Sequence, residues 1–264
     1  MATITLLSDF GLADPYVAEM KGVILSVDPH LNIVDVSHGI ERHNIAMGSF
    51  ILETALPHFP PGSIHVAVVD PGVGSERLSL IVDCKRGILV GPDNGLLVRA
   101  SERLGFKGAY QIDSRRFRGE TISSTFHGRD IFAIAAANLA IGLKSNVVGS
   151  RVERLVRLDI PIASVAHDAA NCTVLYVDSF GNVILNLTAK DFAKLRLRSG
   201  DRMTIRTRQR RVPGLVAKTY SDIPHSRLAM IQGSQGYLEI AMRASSAAAR
   251  LGLKPLDHVM IDFS

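Results

Sequence analysis

The segment His65-Val66-Ala67-Val68-Val69-Asp70-Pro71-Gly72-Val73-Gly74-Ser75-Glu76-Arg77 constrains the fold more than any other part of the chain. A β-branched apolar run fits a pleated, buried strand. Proline cannot extend a strand ladder and glycine admits positive φ, so the strand is predicted to stop at Asp70. An acid then stands at the carboxyl end of a buried strand, where open α/β sheets build their binding crevices. A lone acid there also serves as a turn cap. The same ending recurs at Ser8-Asp9, after the apolar run of residues 3–7, and this repetition favours function.

Around these two strand ends the chain alternates. Asp14-Pro15 predicts a helix start, with Asp14 as N-cap and Pro15 at the first helical position. Val17, Met20, Ile24 and Val27 follow at helical spacing. Residues 32–36 read as a strand, 44–58 as a helix, and then comes the strand ending at Asp70. Strand, helix, strand, helix, strand predicts a largely parallel sheet covered by helices. Residues 78–82 and 87–90 read as strands and 96–104 as a short helix. Residues 91–95 form a glycine-framed loop able to wall a pocket, and an alanine-rich helix spans 131–143. His127 therefore precedes a helix N-terminus, which favours anions and a neutral imidazole.

Beyond residue 160 the pattern changes to short strands between turns: 173–177, 183–187, 203–207, 215–219, 228–232, 237–242 and 259–263, with one helix at 244–251. This predicts a small β-barrel or sandwich. The expected domains are 1–160 and 161–264, with the boundary near Pro161.

With 264 residues and 47% hydrophobic content, the chain can bury a large core. Residues 1–7 are too short for a signal peptide, and no segment reaches membrane-span length. Cys84 and Cys172 give neither a disulfide framework nor metal-ligand spacing, so a cytoplasmic location is expected. The net charge of +5 permits an anionic ligand. The arginine-rich run 196–211 lacks the aromatics that stack on bases, and reads as a half-exposed strand pair rather than a nucleic-acid face.

Four polar loops remain: Ser8-Asp9, Asp70 to Arg77, His127-Gly128-Arg129-Asp130, and Asp178-Ser179-Phe180-Gly181-Asn182. None is a nucleotide fingerprint. Asp9, Asp70 and His127 are ligand types for several divalent ions, but no pair has the His-x-x-x-His spacing. Without a metal, Asp70 is placed to orient or deprotonate a water, with Arg77 and His127 steadying the developing charge. The other eight histidines show no pairing pattern.

Five stretches together resemble the S-adenosylmethionine (SAM) hydroxide adenosyltransferases, hydrolytic relatives of fluorinase and chlorinase. They are Ser8-Asp9-Phe10-Gly11 with residues 14–22, Val69-Asp70-Pro71-Gly72-Val73-Gly74 with Arg77, Thr125-Phe126-His127-Gly128-Arg129-Asp130, the 178–182 turn, and residues 233–241. The resemblance implies an α/β N-terminal domain and a small C-terminal β-barrel. It implies homotrimers with active sites between subunits, and water attacking the ribose 5′ carbon of SAM to give adenosine and methionine. Neither metal nor cofactor is implied, SAM being the substrate. The family's catalytic set falls on Asp70, Arg77 and His127, and its ribose-binding acid on Asp9. Tyr16 lies in the first signature. Phe180 and Asn182 match positions that read the adenine. Ser234, Glu239 and Met242 fall in the stretch that contacts the ligand, and Asp178 near an acid that meets the methionine amine. The fluorinases carry tyrosine, threonine and serine where this chain has Asp70, Val73 and Gly128. A carboxylate beside the reacting carbon repels halide and suits water. Two other functions compete: a metal-dependent nucleotide hydrolase using Asp9, Asp70 and His127, and a non-catalytic sensor of adenosine or SAM.

Overall fold

The structure, a computed structural model, describes residues 2–113, 122–166 and 168–263, so His167 lies outside the described residues. The chain divides into two compact units, Met1–Leu158 and Asp159–Ser264.

The first unit opens with β1 (Thr3–Ser8), α1 (Tyr16–Val27), β2 (Asn32–Ser37), α2 (Ile45–Ala55) and β3 (Ser63–Val68), the predicted alternation. It continues with β4 (Ser79–Cys84), β5 (Gly87–Pro92), α3 (Val98–Leu104), β6 (Phe106–Ile112), α4 (Ile134–Ala140), α5 (Ser145–Val148) and β7 (Gly149–Val152). The sheet order is β2-β1-β3-β5-β4-β6-β7. β1 pairs in parallel with β2 and β3, and β3 with β5. β4 is antiparallel to β5 and β6, and β7 to β6, so the sheet is mostly parallel with β4 and β7 reversed.

Successive residues of a strand point to opposite faces, and both faces are covered. Ile4, Leu6, Val66 and Val68 pack with Met20 and Ile24 of α1 and Ala135 to Ala137 of α4. Leu7, Ala67 and Val69 pack with Leu52 of α2 and Ala100 and Leu104 of α3. All six residues of β3 are buried, including His65, whose Nδ1 lies 2.8 Å from Thr5 Oγ1. Burial pushes the His65 imidazole down to about 4.

Two local expectations are corrected. α1 starts at Tyr16, Pro15 occupies its N-cap, and no side chain caps it; Asp14 stays exposed. Pro15 already has helical φ and ψ, and its carbonyl accepts from Glu19 N at 2.9 Å, so the turn closes without the acid. The alanine-rich helix begins at Gly128, with a wide π turn over Gly128–Ala133 leading into α4.

The second unit contains β8 (Ser164–Val165), β9 (Ala169–Val177), β10 (Val183–Thr188), α6 (Ala189–Ala193), β11 (Arg202–Arg206), β12 (Arg211–Val216), β13 (Leu228–Gln232), β14 (Tyr237–Met242), α7 (Ala247–Leu251) and β15 (His258–Phe263). The strands run β10-β14-β13-β12-β11-β15-β9, and β9 pairs with β10, closing a seven-stranded barrel. The barrel, not the sandwich, is the fold. The arginine run forms the antiparallel β11–β12 pair, with Met203 and Ile205 in the barrel core. β12 begins and ends earlier than the predicted 215–219, because Thr219 and Asp222 form a capping box that turns the chain into the 3-10 segment Tyr220–Asp222.

Candidate functional site

In the first unit the site is built on chain immediately beyond strand ends. β3 stops at Val68, two residues before Asp70. Asn94 Nδ2 donates to Val69 O at 2.8 Å, so the glycine-framed loop backs the approach to Asp70. Beyond Asp70 the chain turns tightly: Val73 N donates to Asp70 O at 3.3 Å and Ser75 Oγ to Gly72 O at 2.7 Å. Gly74 has φ +79°, and a Cβ there would lie 2.6 Å from Ser124 O, so this position admits glycine alone.

That turn delivers Arg77 back onto Asp70. Arg77 Nε donates to both carboxylate oxygens at 3.0 Å, and Nη2 donates to Oδ2 at 2.5 Å. Both side chains are nearly buried, with 10% of Arg77 and 4% of Asp70 exposed. Arg77 Nη1 donates to Ser79 Oγ at 2.9 Å, and the guanidinium lies 5.4 Å from the Phe132 ring centroid. Nη2 also lies 2.8 Å from His127 Nδ1. Arginine has only donors, so Nδ1 accepts and the imidazole proton sits on Nε2. Burial, then Arg77, lowers the His127 pKa against the opposing pull of Asp70 and Asp130, so the ring is neutral near pH 7. The predicted acid, arginine and histidine thus meet, with the guanidinium at their centre.

That arrangement bears on the metal reading. A cation at Asp70 and His127 would compete with Arg77 for the same oxygens and the same Nδ1. Among the described residues, no three His, Cys, Asp or Glu side chains converge as a metal site requires.

Asp9 directly follows β1, and Tyr16 opens α1. Asp9 Oδ2 accepts from His43 N at 2.9 Å. Tyr16, Phe10 and Phe126 form an edge-to-face trio with centroids 5.3 to 5.8 Å apart. A Cβ on Gly128 would come within 3.2 Å of Phe126, 3.4 Å of Met20 Sδ and 3.5 Å of Phe10, so the trio closes over a residue without a side chain.

In the second unit a hollow of about 510 Å³ is lined by Phe180, Asn182, Tyr220, Met242 and residues 243–246. Its base is the 178–182 turn. Asp178 Oδ1 accepts from Phe180 N at 3.0 Å and Asn182 N at 2.8 Å, and Oδ2 from Asn182 Nδ2 at 2.9 Å. Both oxygens of Asp178 therefore organise the turn. The turn presents Phe180 with 80% of its surface exposed, while Asn182 is buried. Glu239 is buried and accepts a short hydrogen bond from Tyr220 Oη. Its pKa is raised by burial and by Asp178, against the lowering pull of Tyr220. Gly233 leaves room for Glu239, since a Cβ there would lie 2.8 Å from Oε2. Met242 lines the hollow; Ser234 is exposed on the β13–β14 turn and does not.

Several contributors were missed in the sequence. Phe10 and Phe126 lay inside noted motifs, and their aromatic spacing to Tyr16 was an available signal. Ser79, Asn94 and Tyr220 gave none, because their partners are tertiary.

An α/β sheet carrying a carboxylate–guanidinium–imidazole set beyond its strand ends, followed by a closed barrel, defines a two-domain class of enzyme. A solved structure of an uncharacterized conserved protein from Thermotoga maritima is similar in fold, with TM-score 0.94 and 34% identity over 98% of this chain and 99% of that one. Residues 4–149 match the SAM hydroxide adenosyltransferase N-terminal domain and residues 172–260 its C-terminal domain. The chain belongs to the SAM hydroxide adenosyltransferase family. It is 37% identical to an (R)-S-adenosyl-L-methionine hydrolase of Methanocaldococcus jannaschii, over 98% of this chain and 95% of that protein. It is 36% identical to the hydrolase of the same name from Thermus thermophilus, over 96% and 97%. A Nocardia brasiliensis fluorinase is 28% identical over 95% and 93%.

Proposed function

We propose that the protein hydrolyses SAM to adenosine and L-methionine, with Asp70, Arg77 and His127 as its catalytic residues. The observation that carries this is the nearly buried Asp70 carboxylate gripped by Arg77, which also fixes the His127 tautomer.

The sulfonium is an excellent leaving group, so methionine needs no acid to depart. The task is to hold a water in line with the 5′ carbon–sulfur bond, a positioning effect. A water lone pair forms the new carbon–oxygen bond as the carbon–sulfur pair passes to sulfur, and the water proton leaves through Asp70 to solvent. Arg77 fixes the direction of the carboxylate. The Nε2–H of His127 is a donor and orients an oxygen; it is not the base. The negative Asp70 also opposes halide approach and favours the cationic substrate.

Asp9 holds the ribose hydroxyls, and Tyr16 with its aromatic partners walls the sugar side. Phe180 and Asn182 take the adenine face and edge. Met242 completes the wall of the hollow, Ser234 meets the ligand from the exposed β13–β14 turn outside it, Glu239 acts there through Tyr220, and Asp178 stands near the methionine amine. Residues 1–160 supply the catalytic part and 161–264 the adenine- and methionine-contacting part. The working unit is a homotrimer with each site shared between neighbouring subunits; an exposed Phe180 and the split of ligand residues over two units support this. Sedimentation at three times the 28.6 kDa of one chain is the expected result. No helix among the described residues is long and apolar enough to cross a membrane. A cytoplasmic location fits two buried, unpaired cysteines whose thiols burial pushes up to about 12.

No metal or cofactor takes part. The test is incubation with SAM in chelator, following products by liquid chromatography. Adenosine and methionine from the wild type, with a rate at least about a hundredfold lower for Asp70→Asn, are expected. Turnover that appears only on adding a divalent ion would overturn the reading.

A further inference from the structure

Behind Asp9 lies a set of polar side chains that the reaction itself does not use. Ser8 and His38 are both buried, and Ser8 Oγ lies 2.7 Å from His38 Nδ1. Phe10 N donates to the same Ser8 Oγ at 3.3 Å. A hydroxyl oxygen that accepts from Phe10 still has its own proton to give, and Nδ1 is the acceptor beside it. Nε2 lies 3.1 Å from Asp35 Oδ1, an electrostatic contact out of line for a hydrogen bond. Asp35 Oδ2 is in turn held at 2.6 Å by Lys21 Nζ from α1.

The backbone repeats the connection. Gly11 N donates to His38 O at 2.9 Å, with Gly11 at φ +69°. Asp9 is thus bracketed: the residue before it is tied to the His38 ring, and Gly11 to the His38 carbonyl. Its Oδ2 is held by His43 N, which leaves the Oδ1 side to meet a ligand. A carboxylate recognises a vicinal diol only while its direction is fixed, and side chains that lock such a group are part of the binding geometry.

We propose that His38, acting through Ser8, is a positioning residue that aims Asp9 at the ribose diol and so sets selectivity for ribonucleosides over deoxynucleosides. The proposal deepens the ribose reading of Asp9 and rests on it. His38 is buried and acts on Asp9 from behind Ser8. Its loss therefore weakens uniform binding, raising KM with little change in kcat.

The experiment compares binding of adenosine and 2′,3′-dideoxyadenosine by titration calorimetry in the full-length protein. The variants are Asp9→Asn, Ser8→Ala, His38→Ala, His38→Asn and the Asp9→Asn/Ser8→Ala double mutant. The wild type prefers adenosine. Asp9→Asn removes most of that preference, and Ser8→Ala and His38→Ala each reduce it by about five- to tenfold, the worth of one weakened hydrogen bond. In the Asp9→Asn background, Ser8→Ala changes the preference by less than about twofold, because the two act through one contact. His38→Asn, which keeps an acceptor near Nδ1, recovers most of the loss. A purely structural role would lower thermal stability without moving the preference or coupling to Asp9. Preference unchanged in Asp9→Asn would sink the ribose reading itself. Preference lost in Asp9→Asn but kept in a folded Ser8→Ala would overturn the positioning role alone, and that single-atom deletion decides the matter should His38→Ala fail to fold.

Discussion

The two units arrange their polar chemistry in opposite ways. In the first, charge is buried against charge: Asp70, 4% exposed, is gripped by an arginine that also holds a histidine. In the second, the acid of the turn is spent on two backbone amides and the Asn182 side-chain amide, and the turn carries an aromatic ring that is 80% exposed. One region fixes directions and the other offers uncovered apolar area. That is the division expected when a nucleophile must be aimed while a flat heterocycle must be gripped.

The largest effect expected from this contrast is on stability. Arg77→Ala strands a nearly buried carboxylate, and breaking such a pair costs about 3–5 kcal/mol. Urea unfolding that shows a loss under about 1 kcal/mol would mean the Asp70 site is wetter than described. Acid sharpens the same contrast. His65 titrates near 6.5 in the unfolded chain and about 4 in the fold. As pH falls through that window the unfolded state gains a proton that the fold refuses, so stability falls with pH, by on the order of 3 kcal/mol in all. Among the described histidines the second unit has only exposed ones, His225 and His258, so the first unit should loosen first. Hydrogen exchange at pH 4.5 checks which unit opens.

Phe180→Ala should behave in the opposite sense to Arg77→Ala. Folding stability stays within about 0.5 kcal/mol, while adenosine affinity drops by about 1–3 kcal/mol, the worth of one base–aromatic stack. A fall in melting temperature with affinity intact would erase the contrast between the units. The smallest effect is at Gly128. Gly128→Ser brings a Cβ to 3.2 Å from Phe126, which must give by a few tenths of an ångström, at a cost of about 1 kcal/mol. No thermal shift would mean the aromatic trio is loosely packed.

Much of this was legible in the sequence where local chemistry decides it. The runs that became β1 and β3 end at Asp-Phe-Gly and Asp-Pro-Gly, so both strand ends could be read from turn formers. The barrel strands were legible from short apolar runs between turns, and the alanine-rich helix from its composition. β6 and β7 were not, because Phe106–Ile112 mixes lysine, glycine and glutamine and draws its stability from pairing with β4. Asp70, Arg77 and His127 were picked out as residue types at loop ends. That Arg77 stands between the other two was not legible: its partners lie 7 and 50 residues away and meet only in the folded chain. The same holds for Tyr220 and Glu239, and for Ser8 and His38.

The central claim is that water, aimed by the Asp70–Arg77 pair, attacks the 5′ carbon. Turnover of SAM in ¹⁸O-water, followed by mass spectrometry of both products, tests it directly. One heavy oxygen in adenosine and none in methionine, formed far more slowly by Asp70→Asn, is the predicted result. Adenosine without the label, or formed at the wild-type rate by Asp70→Asn, would contradict it.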